Sequence, residues 1–218
     1  MFDVIGPNMI GPSSSHTAGA CSIALMARKM FQEPVVKAQF TLYGSFARTY
    51  EGHGTDRALL GGMMGFETDD RRIKNAFKEA DKIGLQYEFV SDKETNTEHP
   101  NTVDILMTGA TGRTLMVRGE SVGGGKIRIT RIDDVQVEFT GEYSTMVIRQ
   151  LDRPGVLVSI TTILNLCGVN IAYLRNFRKE KGGEAFTVVE SDGPIQEEAV
   201  KLILQQKDVQ EVMLIPMM

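Results

Sequence analysis

Residues 143–151 (YSTMVIRQL), 152–155 (DRPG) and 156–167 (VLVSITTILNLC) decide the fold of the C-terminal half. The first run is rich in β-branched and apolar residues and predicts a strand. Asp152-Arg153-Pro154-Gly155 carries the residues of a tight turn. The third run spaces its apolar residues for a helix and stops before Gly168, a residue suited to the left-handed C′ position. Working outward, 169–178 and 184–191 predict two more strands joined by the glycine-bearing hairpin 180–183. Residues 195–206 place Ala199, Val200, Ile203 and Leu204 on one helical face, with Pro194 at the first helical position. A final strand spans 209–215. The order is β-α-β-β-α-β, the split βαβ arrangement of ferredoxin-like folds.

Upstream of Gly141 the pattern changes. Glycine is frequent there, and all three His of the chain occur there. Helices are predicted over 18–31, 56–64 and 70–83, and strands over 35–46, 85–90, 103–108, 113–118, 126–132 and 135–139. The stretch 103–139 predicts an antiparallel meander with glycine turns. The fold class is therefore α+β, with a mixed α/β N-terminal domain over 1–141 followed by the βαββαβ domain over 142–218.

Composition narrows the function classes. The 218 residues carry a formal net charge of −4, with 42% hydrophobic and 24% charged residues, which is ordinary for a globular chain. A net negative chain without a basic stripe argues against nucleic-acid binding. No apolar run approaches the roughly 18 residues of a spanning helix. Residues 1–17 lack the basic and apolar regions of a signal peptide, so no membrane association and a cytoplasmic location are expected. The twelve Met read as core filling. Cys21 and Cys167 are the only cysteines, too few for a disulfide framework. They are also too few for the usual four thiolates of an iron–sulfur cluster, so such a cluster would be held mostly by another chain.

Four segments carry candidate chemistry. In 11–17 (GPSSSHT), three hydroxyls and an imidazole sit just before a predicted helix. Free N–H groups at a helix start suit a carboxylate or phosphate; Ser13, Ser14, Ser15 and Thr17 add hydroxyls, and His16 can transfer a proton. The alternative is a helix cap beside a surface His. In 52–56 (GHGTD), glycines flank His53 and leave room for close approach; the alternative is a turn with Asp56 capping the next helix. In 98–102 (EHPNT), His99 precedes proline and Asn101 offers both a donor and an acceptor; the alternative is a loop entering a strand. All three His are expected in Gly- or Pro-flanked loops. Residues 119–125 (GESVGGG) lack the Lys-Ser/Thr ending of a phosphate loop and are expected to connect two strands. No spacing supports a zinc site or a serine-nucleophile elbow. In the second half, Asp152, Arg153, Gly155, Val156 and Leu157 open a helix whose start can bind an amino-acid carboxylate or ammonium, and Asn170 follows that helix. The alternative there is a turn and helix cap.

These motifs carry a resemblance. The C-terminal half resembles an ACT domain through 152–157 (DRPGVL), 168–171 (GVNI) and the βαββαβ order. The first 140 or so residues resemble the β chain of bacterial iron–sulfur-dependent L-serine dehydratase through GPSSSHT, GHGTD and HPNT in that order. They also resemble the allosteric substrate-binding domain of some phosphoglycerate dehydrogenases. The resemblance implies a subunit of an L-serine ammonia-lyase, inactive alone, that works with a catalytic α chain bearing a [4Fe-4S] cluster. The open iron would act as a Lewis acid on the serine hydroxyl and carboxylate, and the released aminoacrylate would hydrolyse to pyruvate and ammonia. It implies His16, His53 and His99 as catalytic residues. It further implies Ser13, Ser14, Ser15, Thr17 and Asn101 as substrate-binding residues, and no metal ligand in this chain. Asp152, Arg153, Gly155, Val156, Leu157 and Asn170 would bind an amino-acid effector, and the ACT module would pair the chain into a homodimer. The competing reading is a non-catalytic amino-acid sensor related to the regulatory region of phosphoglycerate dehydrogenase; no GxGxxG domain supports dehydrogenase activity itself.

Overall fold

The computed structural model describes residues 8–217. The first seven residues, part of the stretch expected to lack a signal peptide, lie outside the described residues. The chain forms two compact units, Met1–Asp133 and Asp134–Met218, and it is α+β.

In the first unit, β1 (Val35–Tyr43) lies between β2 (Gln86–Asp92), which runs parallel to it, and β3 (Thr102–Gly109), which runs antiparallel. β4 (Thr114–Gly123) and β5 (Lys126–Ile132) continue the antiparallel series, giving the order β2-β1-β3-β4-β5. The period of two along each strand separates two faces. Phe40, Ile105, Val117 and Ile132 form one cross-strand row, and all four are fully buried. The adjacent row on the opposite face is Thr41, Asp104, Arg118 and Arg131. Asp104 is buried there, accepting from Arg118 at 2.6 and 2.7 Å, from Arg131 at 2.8 Å and from the Tyr43 hydroxyl at 2.9 Å. A buried carboxylate needs such partners, because leaving it unpaired costs several kcal/mol, roughly 3–5.

The helices of this unit are α1 (Ala20–Met30), α2 (Gly44–His53), α3 (Thr55–Met63) and α4 (Ala76–Ile83), with a 3-10 turn, Arg71–Asn75, before α4. α1 packs on α3 and contributes fully buried Ile23, Met26 and Met30 to the core. Three expectations need correction. The strand expected over 35–46 ends at Tyr43, and α2 follows at once. The helix expected from residue 18 is preceded by a π-helical segment, Ser14–Gly19, which carries His16. Most of 119–125 is strand, with only Gly124 and Gly125 in the turn between β4 and β5.

The second unit opens with β6 (Val135–Phe139) and continues as β7 (Ser144–Leu151), α5 (Val156–Leu166), β8 (Ile171–Arg178), β9 (Glu184–Ser191), α6 (Glu197–Leu204) and β10 (Val209–Ile215). From β7 onward this is the expected βαββαβ order. The sheet order β10-β7-β9-β8, with antiparallel neighbours, is that of the ferredoxin-like fold. Met146, Ile148 and Val189 meet Ile160, Leu164, Ala199 and Ile203 in the core of this unit. α6 starts later than expected, with Gln196 at its N-cap and Pro194 outside the helix. No helix among the described residues is long and apolar enough to cross a membrane.

Candidate functional site

Ser13 starts the π-helical segment. Its side chain accepts from the His16 backbone N–H at 3.1 Å, while its carbonyl accepts from Thr17 N at 2.9 Å and Ala18 N at 3.4 Å. The i→i+5 bond to Ala18 defines the wider turn, a rare form that concentrates at functional sites. Gly19 closes it, lying so near β4 that an added Cβ would stand 2.0 Å from Ser121 Oγ.

This winding places His16 against three side chains of α2 and the Ser13 cap of its own segment. Its Nε2 lies 3.0 Å from Ser45 Oγ, and its Nδ1 lies 3.4 Å from Ser13 Oγ. The Phe46 ring meets it edge-on at a centroid separation of 5.3 Å, and the His53 ring stands at 4.8 Å. Burial, and secondarily the charge His53 can carry, hold the His16 imidazole below its ordinary titration range. His16 is therefore a neutral ring near pH 7, able to accept a proton or donate a hydrogen bond.

His53 is not in a loop. It is the last residue of α2, which Gly54 ends in the left-handed conformation at φ 69°. The His53 carbonyl accepts from Thr17 Oγ1 at 3.1 Å, so the GPSSSHT and GHGTD segments are joined directly. Asp56 does not cap α3. It lies buried in the first turn, where its Oδ1 accepts from Arg57 N at 2.7 Å, and burial raises its carboxyl above the usual range. Thr17 and His53 line a cleft of about 210 Å³ together with Glu51, Arg57 and Lys74. One carboxylate and two cations flank this cleft, a charge pattern that suits a small zwitterion.

His99 does lie in a loop. Its Nδ1 accepts from Asn101 N at 3.2 Å, which leaves Nε2 as the protonated nitrogen of the neutral ring. The loop is fastened by Thr97 and Thr102, whose hydroxyls donate to the His99 carbonyl at 2.8 and 2.6 Å. The neighbouring Pro100 carbonyl accepts from Ser45 N at 2.6 Å, so this loop abuts the start of α2. Asn101 pairs with β4: its carbonyl accepts from Ser121 N at 3.0 Å, and its Nδ2 donates to Ser121 O at 3.5 Å. Asn101 Oδ1, Ser121 Oγ and Thr55 Oγ1 are buried without a hydrogen-bond partner among the described residues.

The three motifs thus converge. His16 contacts both Ser13 and His53, Thr17 bonds to the Ser13 and His53 carbonyls, and the His99–Asn101 loop joins them through Ser45. Ser14 and Ser15 sit half-buried in the π-helical segment. Ser45 belongs to no motif in the sequence, and Ser121 lies in 119–125, a segment expected only to connect two strands; neither serine carries a signal before the fold brings it to a site. Among the described residues, no group of three or more His, Cys, Asp and Glu is arranged to hold a metal ion.

In the second unit, Asp152 Oδ2 accepts from Arg178 Nη1 at 2.6 Å and from Gly182 N at 3.1 Å. The Gly182 amide, then Arg178, hold its carboxyl below the usual range. Gly155, at φ 93°, caps α5; Val156 faces the core, and Arg153 and Leu157 are exposed. Asn170 lies beyond the other end of α5 and donates to Asp192 Oδ2 at 2.6 Å. The six residues therefore divide between the two ends of an 11-residue helix.

The family model described as "Serine dehydratase beta chain" matches residues 1–131. The chain is 43% identical over 204 residues to "L-serine dehydratase, beta chain" of Peptoniphilus asaccharolyticus, covering 93% of this chain and 91% of that one. It is 38% identical over 197 residues to "Probable L-serine dehydratase, beta chain" of Bacillus subtilis (strain 168), covering 90% and 89%. A more distant similarity, 27% over 198 residues, is to D-3-phosphoglycerate dehydrogenase of the same organism, of which it covers 37%. With the motif-bearing unit matched as a whole and two β chains matched over most of their length, the chain belongs to the serine dehydratase beta chain family.

Proposed function

We propose that this chain is the β subunit of an L-serine ammonia-lyase that, with an α chain, converts L-serine to pyruvate and ammonia. The observation that carries the reading is the juxtaposition of His16 and His53 at 4.8 Å between their centroids, with Thr17 hydrogen-bonded across the two motifs. Family membership and the zwitterion-like charges of the adjoining cleft support it.

Cys21 does not fit as a ligand of a [4Fe-4S] cluster, and two cysteines are fewer than the four thiolates such a cluster usually takes. Cys21 is fully buried, its thiol donates to the Phe66 carbonyl at 3.4 Å, and burial pushes it up to about 12. A thiol in that setting stays protonated, whereas a cluster ligand must be a thiolate. The cluster is accordingly assigned to the α chain. This chain supplies protons and orientation: neutral His16, with His53 and His99, holds or moves a proton near the substrate. Ser13, Ser14, Ser15 and Thr17 orient its carboxylate at the start of the helix. Asn101 Oδ1, a buried acceptor with no partner among the described residues, suits the ammonium group.

The second unit is assigned as an ACT domain over 142–218, pairing two chains and binding an amino-acid effector near Asp152, Arg153, Gly155, Val156, Leu157 and Asn170. A cytoplasmic location agrees with an oxygen-sensitive partner.

The test is anaerobic reconstitution with a cysteine-rich α chain, following pyruvate formed from L-serine. Neither chain alone is expected to turn over, and His16→Ala is expected to cost about 10²–10⁴-fold in rate. Wild-type turnover by His16→Ala, His53→Ala and His99→Ala complexes alike would sink the assignment.

A further inference from the structure

Ser45 lies outside every motif noted above, yet two contacts fix it between two of them and a third holds it within α2. Its hydroxyl is 3.0 Å from His16 Nε2. Its backbone N–H donates to the Pro100 carbonyl at 2.6 Å, and its own carbonyl accepts from Thr49 Oγ1 at 2.9 Å. Directly before it, Gly44 adopts φ 54°, and an added Cβ there would stand 2.5 Å from the Pro100 oxygen. Only glycine permits so close an approach in the left-handed conformation. The backbone of Ser45 is therefore seated on the loop that carries His99 and Asn101.

The hydroxyl has no competing structural duty. No side chain caps α2, so the Ser45 hydroxyl is not spent on a helix end. At the other ring nitrogen, the 3.4 Å separation from Ser13 Oγ lies beyond the normal hydrogen-bond range, and that oxygen already accepts the His16 backbone N–H. The Ser45 hydroxyl can donate to Nε2 or accept from it, so the contact fixes where the ring lies whichever nitrogen carries its proton.

We propose that Ser45 is a positioning residue for His16: it grips Nε2, holds the ring in one orientation, and couples that orientation to the His99–Asn101 loop. Its consequence for turnover rests on the serine ammonia-lyase reading; its consequence for the His16 ring does not.

The ring position is read by nuclear Overhauser contacts between the His16 ring and the Phe46 and His53 rings in the full chain, with His16 assigned from a His16→Gln variant. A single set of ring contacts is expected in the wild type, weakened and averaged contacts in Ser45→Ala, and the single set again in Ser45→Thr. In the reconstituted complex, Ser45→Ala is expected to lower kcat about ten- to a hundredfold with a smaller change in KM for L-serine, and Ser45→Thr to recover most of it. A wild-type His16 ring that already samples several positions overturns the proposal without recourse to any variant. So does a Ser45→Ala ring or kcat indistinguishable from wild type. A ring position lost in Ser45→Ala while no wild-type complex consumes serine leaves the positioning role standing and removes the lyase reading instead.

Discussion

Burial penalises the imidazolium form of His16, and the neighbouring His53 adds to that penalty whenever it is charged. The folded-state pKa therefore lies below the ordinary 6.5, which the unfolded chain retains. Between the two values the unfolded chain binds more protons, so folding stability increases with pH across that window. The contribution is complete above about 6.5 and is lost as the pH falls through the folded value. His16→Gln is expected to flatten this part of the stability profile, measured by urea unfolding at a series of pH values from about 5 to 8. His53→Ala removes the second cause and opens the ring to water, so the His16 titration, followed by NMR, is expected to move upward. An unchanged titration in His53→Ala would mean that the two rings do not share one environment. At this scale the sequence offers the candidate residue types but not their contacts. Hydroxyls next to an imidazole at a helix start are visible in 11–17, whereas nothing in 52–56 indicates that His53 ends a helix facing His16.

The elements that carry the site are those least favoured by local propensity. α2 reads GSFARTYEGH, with glycines near both ends and β-prone Thr49 and Tyr50 within, and it follows a run of strand formers. It is helical because Phe46 and Ala47 bury themselves in the core and Ser45 N finds the Pro100 carbonyl, a tertiary override that no window of sequence contains. The βαββαβ half was legible for the opposite reason: its strand and helix periods are strong, and its turns contain Pro154, Gly155, Gly182 and Gly183. The π-helical segment shows the same dependence on tertiary contact, since its closing Gly19 leaves no space for a side chain against Ser121. Gly19→Ala is expected to destabilise the protein by about 1–3 kcal/mol, as overpacking does, with a corresponding fall in urea midpoint. Ser121→Gly in the same chain removes the obstructing atoms and is expected to recover much of that loss. Purely additive effects of the two substitutions would show that the clash is not what makes Gly19 necessary.

For the molecule as an assembly, the second unit offers what a paired module needs. β8 is a terminal strand of its sheet, and a terminal strand presents backbone donors and acceptors to a partner edge. In the same unit, Tyr173 on β8 and Leu166 at the end of α5 are 51% and 76% exposed, and Val158 on the same helix is 67% exposed. Apolar side chains left in water gain roughly 25 cal/mol for each Å² they bury, so a second copy of this unit is a natural cover. An isologous contact of this kind brings each residue against the same patch on its twin, so a charge placed there meets its own copy across the axis. Leu166→Glu is therefore expected to weaken a homodimer through both lost burial and mutual repulsion, while sparing the fold, because Leu166 lies outside the core of its unit. Sedimentation equilibrium of the isolated chain is expected to give a dimer, shifted toward monomer by Leu166→Glu and partly restored at high salt, where charge repulsion is screened. A wild-type chain that stays monomeric at high concentration, or a Leu166→Glu chain that dimerises as tightly as wild type, would exclude pairing through this surface.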